Sequence, residues 1–427
     1  MIDVLIVGNG GAGLCAALKA KEEKANVLVV SKTYPTHSQT CQAQGGINGV
    51  INKNEDSIQK HISDTTASAH HLGSKISIET LCKNSGETIQ WLDEIGVPFS
   101  RNEDGTVKQR KFGASSEDRT CYSSDYTGLK VLQTLYDRAI KEKIEFLNEY
   151  MLLNIITKDE KTIGITAINI ETSEVIQLLA KTVILATGGY SNLYNKYTTN
   201  SNQTTGDGAV AALKSGAKLS NLEYIQFHPT AMKGNNILIS ESARGEGGYL
   251  VTKEGERFVN ELKPRDEVAR AINEKLENNQ EVYLDLRHLG LDKINETMPQ
   301  ERRLAYEFLG IKVEEELLPI NPAAHYCMGG IKTNVSCETT IENLFAVGEC
   351  AQNGVHGANR IGGNSLLEIV TFGKIAGANA AYKAESSAHI EERETEQFIA
   401  DKKQIEELFK RENLLNSGRT YNYYTYD

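Results

Sequence analysis

The chain has 427 residues, 40% of them apolar and 24% charged, a composition that suits a globular protein of two or three domains with large buried cores. Its net charge of -11 and pI near 5.5 argue against a nucleic-acid surface, because phosphate backbones are gripped by clustered Lys and Arg. The seven cysteines (15, 41, 82, 121, 327, 337 and 350) include no C-x-x-C pair, so they suit a reducing compartment better than a disulfide framework or a zinc site, and no metal is expected.

Ile2 to Val7 is a β-branched apolar run, Leu14 to Lys21 an Ala/Leu-rich helix, and Val27 to Val30 a second strand. Together they make a βαβ unit of about 30 residues, the unit from which parallel sheets are built. A strand starting at Ile2 leaves no room for a signal peptide, and no run of about 18 apolar residues is present to span a bilayer. The expected location is therefore cytoplasmic, or facing the cytoplasm.

Pro35 to Gly49 is rich in Gly, Gln, Ser and Thr and reads as an extended loop lining something. Helical patterning follows over 57–96 and 128–141. Lys181 to Ala186 and Glu342 to Val347 are further strands, running into Thr187-Gly188-Gly189 and Gly348-Glu349. Glycines at strand C-termini sit where doubly wound sheets hold their ligands. The section 225–335 has another texture, with charged helical segments and strands such as Val282 to Leu284. The expected division is a nucleotide-binding fold over 1–224 and 336–384, a domain inserted over 225–335, and an incomplete helical segment over 385–427. That last segment is charged, then Tyr-rich, and has no obvious core of its own.

The turn Gly8-Asn9-Gly10-Gly11-Ala12-Gly13 follows a strand and opens a helix. A G-x-G-x-x-G run alone is a weak signal, but this context is the one a dinucleotide site requires. Glycines let the backbone approach a pyrophosphate, and the helix N-terminus stabilises its charge. The plain alternative is a ligand-free strand-to-helix turn. An acidic residue is missing at the end of the second strand, where Ser31-Lys32 stand, so a simple NAD site is disfavoured.

Beyond Lys32 the residues become distinctive. Pro35-Thr36, Ala43-Gln44-Gly45-Gly46-Ile47, Arg119-Thr120-Cys121, Thr205-Gly206-Asp207-Gly208 and Gln226-Phe227-His228-Pro229-Thr230 run in order. Arg244-Gly245-Glu246-Gly247-Gly248-Tyr249, Pro264-Arg265-Asp266, His325-Tyr326-Cys327-Met328-Gly329-Gly330 and His356-Gly357-Ala358-Asn359-Arg360 follow, then Gly362-Gly363-Asn364-Ser365-Leu366. Over roughly residues 1–380 the chain resembles the flavoprotein subunits of fumarate reductase and succinate dehydrogenase. The resemblance implies a Rossmann-type α/β FAD-binding domain, with a mixed, mainly parallel sheet, and an inserted α+β capping domain holding the dicarboxylate between them. It further implies an iron–sulfur partner subunit and a membrane anchor subunit, hence a peripheral place on the inner face of the cytoplasmic membrane. No nucleic-acid partner is implied.

Carried over by position, the FAD contacts are Gly8, Gly10, Ala12, Gly13, Ser31, Lys32, Ser38, Gln39, Thr40, Gly45, Gly46, Asp207, Glu349, Ser365 and Leu366. His228, Ser240, His325 and Arg360 match the positions that bind the substrate carboxylates. Arg265 matches the proton donor, and Glu241 with Arg244 a relay that reprotonates it. An arginine is a poor acid, with a pKa above about 12. The role becomes plausible if the acceptor is a developing carbanion and the proton is quickly replaced. The bland readings are a capped turn for His228, a core histidine for His325 and a surface ion pair for Glu241 and Arg244.

Three departures from the pattern carry weight. Membrane-bound members of the family attach FAD through a histidine, where this chain has Gln39 between Ser38 and Thr40; an amide cannot form that bond, so FAD is expected to be non-covalent. His37 is expected to face the other way in an extended loop. Ser240 stands where many relatives have Thr, and the chain stops soon after its second flavin-domain segment, as a truncated product or fragment would. The closest competing enzyme is L-aspartate oxidase, toward which Gln39 leans and against which Arg119-Thr120-Cys121 stands.

Overall fold

In this computed structural model residues 1–411 are described, apart from 53, 388, 389, 391 and 392. β1 (Ile2–Val7) and β2 (Val27–Ser31) are parallel neighbours joined by α1 (Gly11–Glu22), with Leu5 opposite Leu28. β3 (Glu145–Asn148) adds to the outer side of β2. A hairpin of β4 (Tyr150–Lys158) and β5 (Lys161–Asn169) then feeds β6 (Val175–Leu185). β6 serves two kinds of pairing: its first half is antiparallel to β5, and its second half is parallel to β1. The sheet order is β3-β2-β1-β6-β5-β4.

The sequence reading found only the parallel half of β6 and missed the β4–β5 hairpin. Two register shifts in that hairpin, at Leu152/Asn154 and Ile156/Thr157, break the alternation that would have revealed it. The stretch read as one extended loop is also corrected. Pro35–His37 and Gln39–Gln42 are short 3-10 turns, and Ile47–Asn48 pairs as a strand with Thr120–Cys121.

The capping domain holds β7 (Ile225–Met232), α2 (Glu241–Gly245), β8 (Tyr249–Thr252), α3 (Arg265–Glu277), β9 (Val282–Asp285) and β10 (Leu318–Cys327). Its strands form an antiparallel sheet in the order β7-β10-β9-β8. It has its own apolar cluster, from Met232 and Ile239 through Ile272 and Leu284 to Ile320, separate from the two that sandwich the main sheet. Burial on this scale is what lets an inserted segment hold its own shape.

The chain re-enters the main sheet as β11 (Leu344–Ala346), parallel to β6, and continues into α4 (Asn364–Glu385), which packs along α1. The tail is less isolated than its sequence suggested. α5 (Glu396–Arg411) lies on the β4–β6 hairpin sheet, with Phe398 buried and Asp401 accepting from Asn154 at 2.9 Å and from Thr166. The Tyr421 to Asp427 stretch lies outside the described residues.

Candidate active site

The glycine turn between β1 and α1 separates into residues the chain needs and one it leaves open. A Cβ on Gly8 would lie 2.2 Å from the Ala186 carbonyl oxygen, and one on Gly13 would lie 1.9 Å from that of Gly8. These two glycines are required by strand–helix packing. A Cβ on Gly10 would meet nothing nearer than 3.5 Å. Gly10 instead faces a cavity, with the N-terminus of α1 behind it, an arrangement suited to phosphate.

Of the residues singled out from the sequence, all but Gly13 and Arg244 line that one cavity. At its nucleotide side, Ser38 Oγ and Thr187 Oγ1 are buried without a hydrogen-bond partner, as groups awaiting a polar ligand would be. Thr187 was not among the predicted contacts, although the strand-end block containing it was noted. Lys32 and Asp207 are engaged with each other, Nζ to Oδ2 at 2.5 Å. The Cys327 N–H donates to Glu349 Oε1 at 2.9 Å, and burial pushes the Glu349 carboxyl up to about 7. The open Gly10 face, the unpartnered hydroxyls and the helix N-terminus fit FAD. Gln39 Oε1 accepts the Ser201 N–H at 3.2 Å. His37, expected to face away, lines the same cavity, because the 3-10 turns replace the strand-like alternation assumed for it.

The other side of the cavity is built by the capping domain and by the loop before α4. Arg265, the first residue of α3, is only 7% exposed; its Nε donates to Glu241 Oε2 at 2.8 Å, its Nη2 lies 2.7 Å from the same oxygen, and its Nη1 donates to Gln226 at 3.1 Å. Glu241 opens α2, and its other oxygen accepts the Gly113 N–H at 2.7 Å. Burial alone would raise the Glu241 carboxyl, but Arg265 and Arg244 outweigh it and hold the group below its ordinary value. Arg244 lies 3.9 Å from Glu241, one helical turn on, and donates to the Glu261 carbonyl. Both are buried, which excludes the surface ion-pair reading. Arg244, itself buried, borders a separate depression with Arg257 and Glu261.

His228 and His325 sit edge to face, 4.9 Å apart. Burial, then the positive charge of Arg265, holds both imidazoles neutral, well below the usual histidine value. His228 Nδ1 lies 3.2 Å from both the N–H and the carbonyl oxygen of Thr230. Thr199 Oγ1 bonds His325 Nδ1 at 2.8 Å. Arg360 lies over the Tyr326 ring at 4.3 Å and donates to Ser365 at 3.1 Å, while its Nε is buried without a partner. Burial and the nearby Arg265 lower its pKa to about 10.

Sequence reasoning passed over Gln226, which binds Arg265 through its carbonyl and the Arg360 backbone and Asn359 through its amide. It stands two residues before His228 in the 226–230 segment, yet its role needs three distant segments together. Gly113 and Thr199 carried no signal at all.

A dinucleotide turn, a capping domain and a buried cluster of arginines and histidines between them define a flavin-dependent oxidoreductase fold. Residues 3–366 match the family described as FAD binding domain. The chain is 38% identical over 415 residues to a fumarate reductase flavoprotein subunit of Serratia sp., covering 90% of this chain and 69% of the relative. It is 42% identical over 404 residues to the 8-methylmenaquinol:fumarate reductase flavoprotein subunit of Wolinella succinogenes, covering 90% and 66%. The solved Escherichia coli quinol fumarate reductase superposes with a TM-score of 0.90 at 36% identity, covering 96% of this chain and 74% of the other. The chain belongs to the family of fumarate reductase and succinate dehydrogenase flavoprotein subunits, and binds FAD. It spans about two thirds of the length of the curated relatives it matches.

Proposed function

We propose that this protein interconverts fumarate and succinate, with Arg265 exchanging the proton. The observation that carries this reading is the charge set around the cavity. Arg265 and Arg360 both line the cavity, and Glu241 beneath Arg265 is shared with the more remote Arg244, so the two cavity guanidinium groups face the two carboxylates of the substrate. Neutral His228 and His325 and the hydroxyl of Ser240 supply hydrogen bonds without adding charge. Arg360 offers a planar fork for one carboxylate.

FAD, when bound, supplies or accepts the hydride at one carbon. The chain must handle the proton at the other carbon. A guanidinium has five N–H bonds. On Arg265 the Nε hydrogen goes to Glu241 and one Nη1 hydrogen to Gln226, leaving hydrogens on both terminal nitrogens to meet the substrate. Glu241, a carboxylate at rest, takes a proton from Arg244 and passes it to Arg265, and Arg244 recovers its own from the side of the depression it borders. Clamping both carboxylates twists the alkene toward a carbanion-like transition state, where binding energy lowers the barrier.

The reading extends to FAD held without a covalent bond, Gln39 replacing the attaching histidine. Flavin that stays with the acid-precipitated protein contradicts this. It also extends to electron exchange with an iron–sulfur subunit and a membrane anchor, and to the domain limits given above. Among the described residues, no helix is long and apolar enough to cross a membrane. The test of the reaction is fumarate reduction by reduced viologen, compared with Arg265→Lys. Equal rates would remove Arg265 from the chemistry. Oxidation of L-aspartate by oxygen without fumarate reduction would favour the one alternative that Gln39 suggests.

A further inference from the structure

Outside the proposed chemistry lies a second buried group of charges. Asp125 belongs to the flavin domain, and its Oδ2 accepts the N–H groups of Gln300 and Glu301 at 2.7 and 3.0 Å, capping the helix Pro299–Leu309 of the capping domain. Glu301 is only 2% exposed. Its Oε1 accepts the backbone N–H of Ser240 at 3.0 Å and lies 3.1 Å from Ser242 Oγ. Its Oε2, Asp125 Oδ1 and the Nε and Nη1 of Arg110 are all buried without a hydrogen-bond partner. No step of the reaction uses these residues.

Ser242 carries one hydroxyl hydrogen and has two acceptors for it, Glu301 Oε1 at 3.1 Å and Ser240 Oγ at 2.8 Å. Ser240 Oγ already accepts the Ser242 N–H at 3.1 Å. If Ser242 gives its hydrogen to Ser240, the Ser240 hydroxyl must point its own hydrogen into the cavity, as a donor to a carboxylate. If Ser242 gives it to Glu301, Ser242 Oγ is free to accept from Ser240. Ser240 then presents its oxygen to the cavity, which repels a carboxylate. An ionised acceptor forms hydrogen bonds about twice as strong as a neutral one, so the charge on Glu301 decides which way the chain runs.

We propose that Glu301, buried beside Asp125 and in hydrogen-bond reach of Ser242, is a positioning residue that turns the Ser240 hydroxyl toward the substrate carboxylate. This rests on the assignment of Ser240 to substrate binding made above. The groups facing Glu301 are Asp125 and Arg110, with Glu246 and Tyr122 behind the guanidinium. Burial, then the Asp125 charge, pushes the Glu301 carboxyl up to about 8, with Arg110 opposing. Dicarboxylate binding therefore weakens as pH rises past about 8.

The test is malonate binding to the FAD-loaded protein, followed by calorimetry at pH 7 and pH 9. Malonate has no CH–CH bond to oxidise or reduce, so binding is read without turnover. The wild type is expected to lose about 5-fold in affinity across this range, since a hydrogen bond to a charged group is worth about 10-fold and the carboxyl is only about nine-tenths ionised at pH 9. Glu301→Gln keeps the acceptor oxygen but cannot ionise, and its loss is expected to shrink to the smaller part that Glu349, beside Arg360 in the same cavity, contributes as it ionises. Ser240→Ala is expected to bind weakly, with only that smaller loss. A Glu301→Gln protein that keeps the wild-type loss overturns the proposal, as does a flat wild type. Malonate binding in Ser240→Ala that matches the wild type at both values overturns the assignment of Ser240 itself, a separate failure.

Discussion

At the residue scale, the site depends on one carboxylate serving two arginines. Arg265→Lys removes the free terminal guanidinium N–H bonds while keeping a positive charge. Fumarate reduction is expected to fall by about 10²–10⁴ in kcat, the usual worth of a proton-transferring group, with a smaller change in KM. Steady-state rates with reduced viologen measure it. Glu241→Gln leaves Arg265 and Arg244 buried with no counter-charge, which costs about 3–5 kcal/mol when a buried pair is broken. Thermal unfolding should show a lowered Tm as well as lost activity, whereas an exposed ion pair would show neither.

At the scale of elements, the turn from β1 into α1 divides its glycines between folding and binding. Gly13→Ala forces a methyl group against the Gly8 carbonyl and is expected to destabilise the protein by about 1–3 kcal/mol or more. Gly10→Ala meets no such obstacle and should fold normally. Its methyl group projects toward the cavity, so its flavin-to-protein ratio should fall at unchanged Tm of the flavin-free protein. Should Gly10→Ala instead unfold with its flavin intact, Gly10 serves packing and not the cofactor. The same turn also explains why the motif was legible: strand, glycine spacing and helix are local features.

For the whole molecule, several buried groups titrate in opposing directions. Burial holds His228 and His325 neutral, and lowers His61 to about 4. The unfolded chain binds protons at these positions below about pH 6.5, so they make stability rise with pH up to that point. Glu349 and Glu301 keep their protons in the folded state up to about 7 and about 8. Their contribution is present below the ordinary carboxyl range and is lost as pH rises through those values. Three histidines outweigh two carboxyls by one proton below pH 6.5, a slope of about 1.4 kcal/mol per pH unit, and above it the carboxyls act alone. Stability should therefore peak between about pH 6 and 7 and decline by pH 8.5. Denaturant midpoints across pH 5–9 check this, and a monotonic rise to pH 8.5 would contradict it.

What the sequence determined by itself was the local grammar: the βαβ start, the Gly8–Gly13 turn, the inserted section, and ordered blocks specific enough to place the chain in a family. Those features survive in one dimension because a turn, a periodicity or a block needs only its neighbours. Only the tertiary structure decided the rest. It drew Gln226, Gly113 and Thr199 onto residues far away in sequence, turned His37 into the cavity through short helical turns, and separated Gly13 and Arg244 from the lining. It also set Glu301 beneath Ser240, 61 positions apart. Charge, burial and hydrogen-bond direction depend on what surrounds an atom in space, and no spacing along the chain records that.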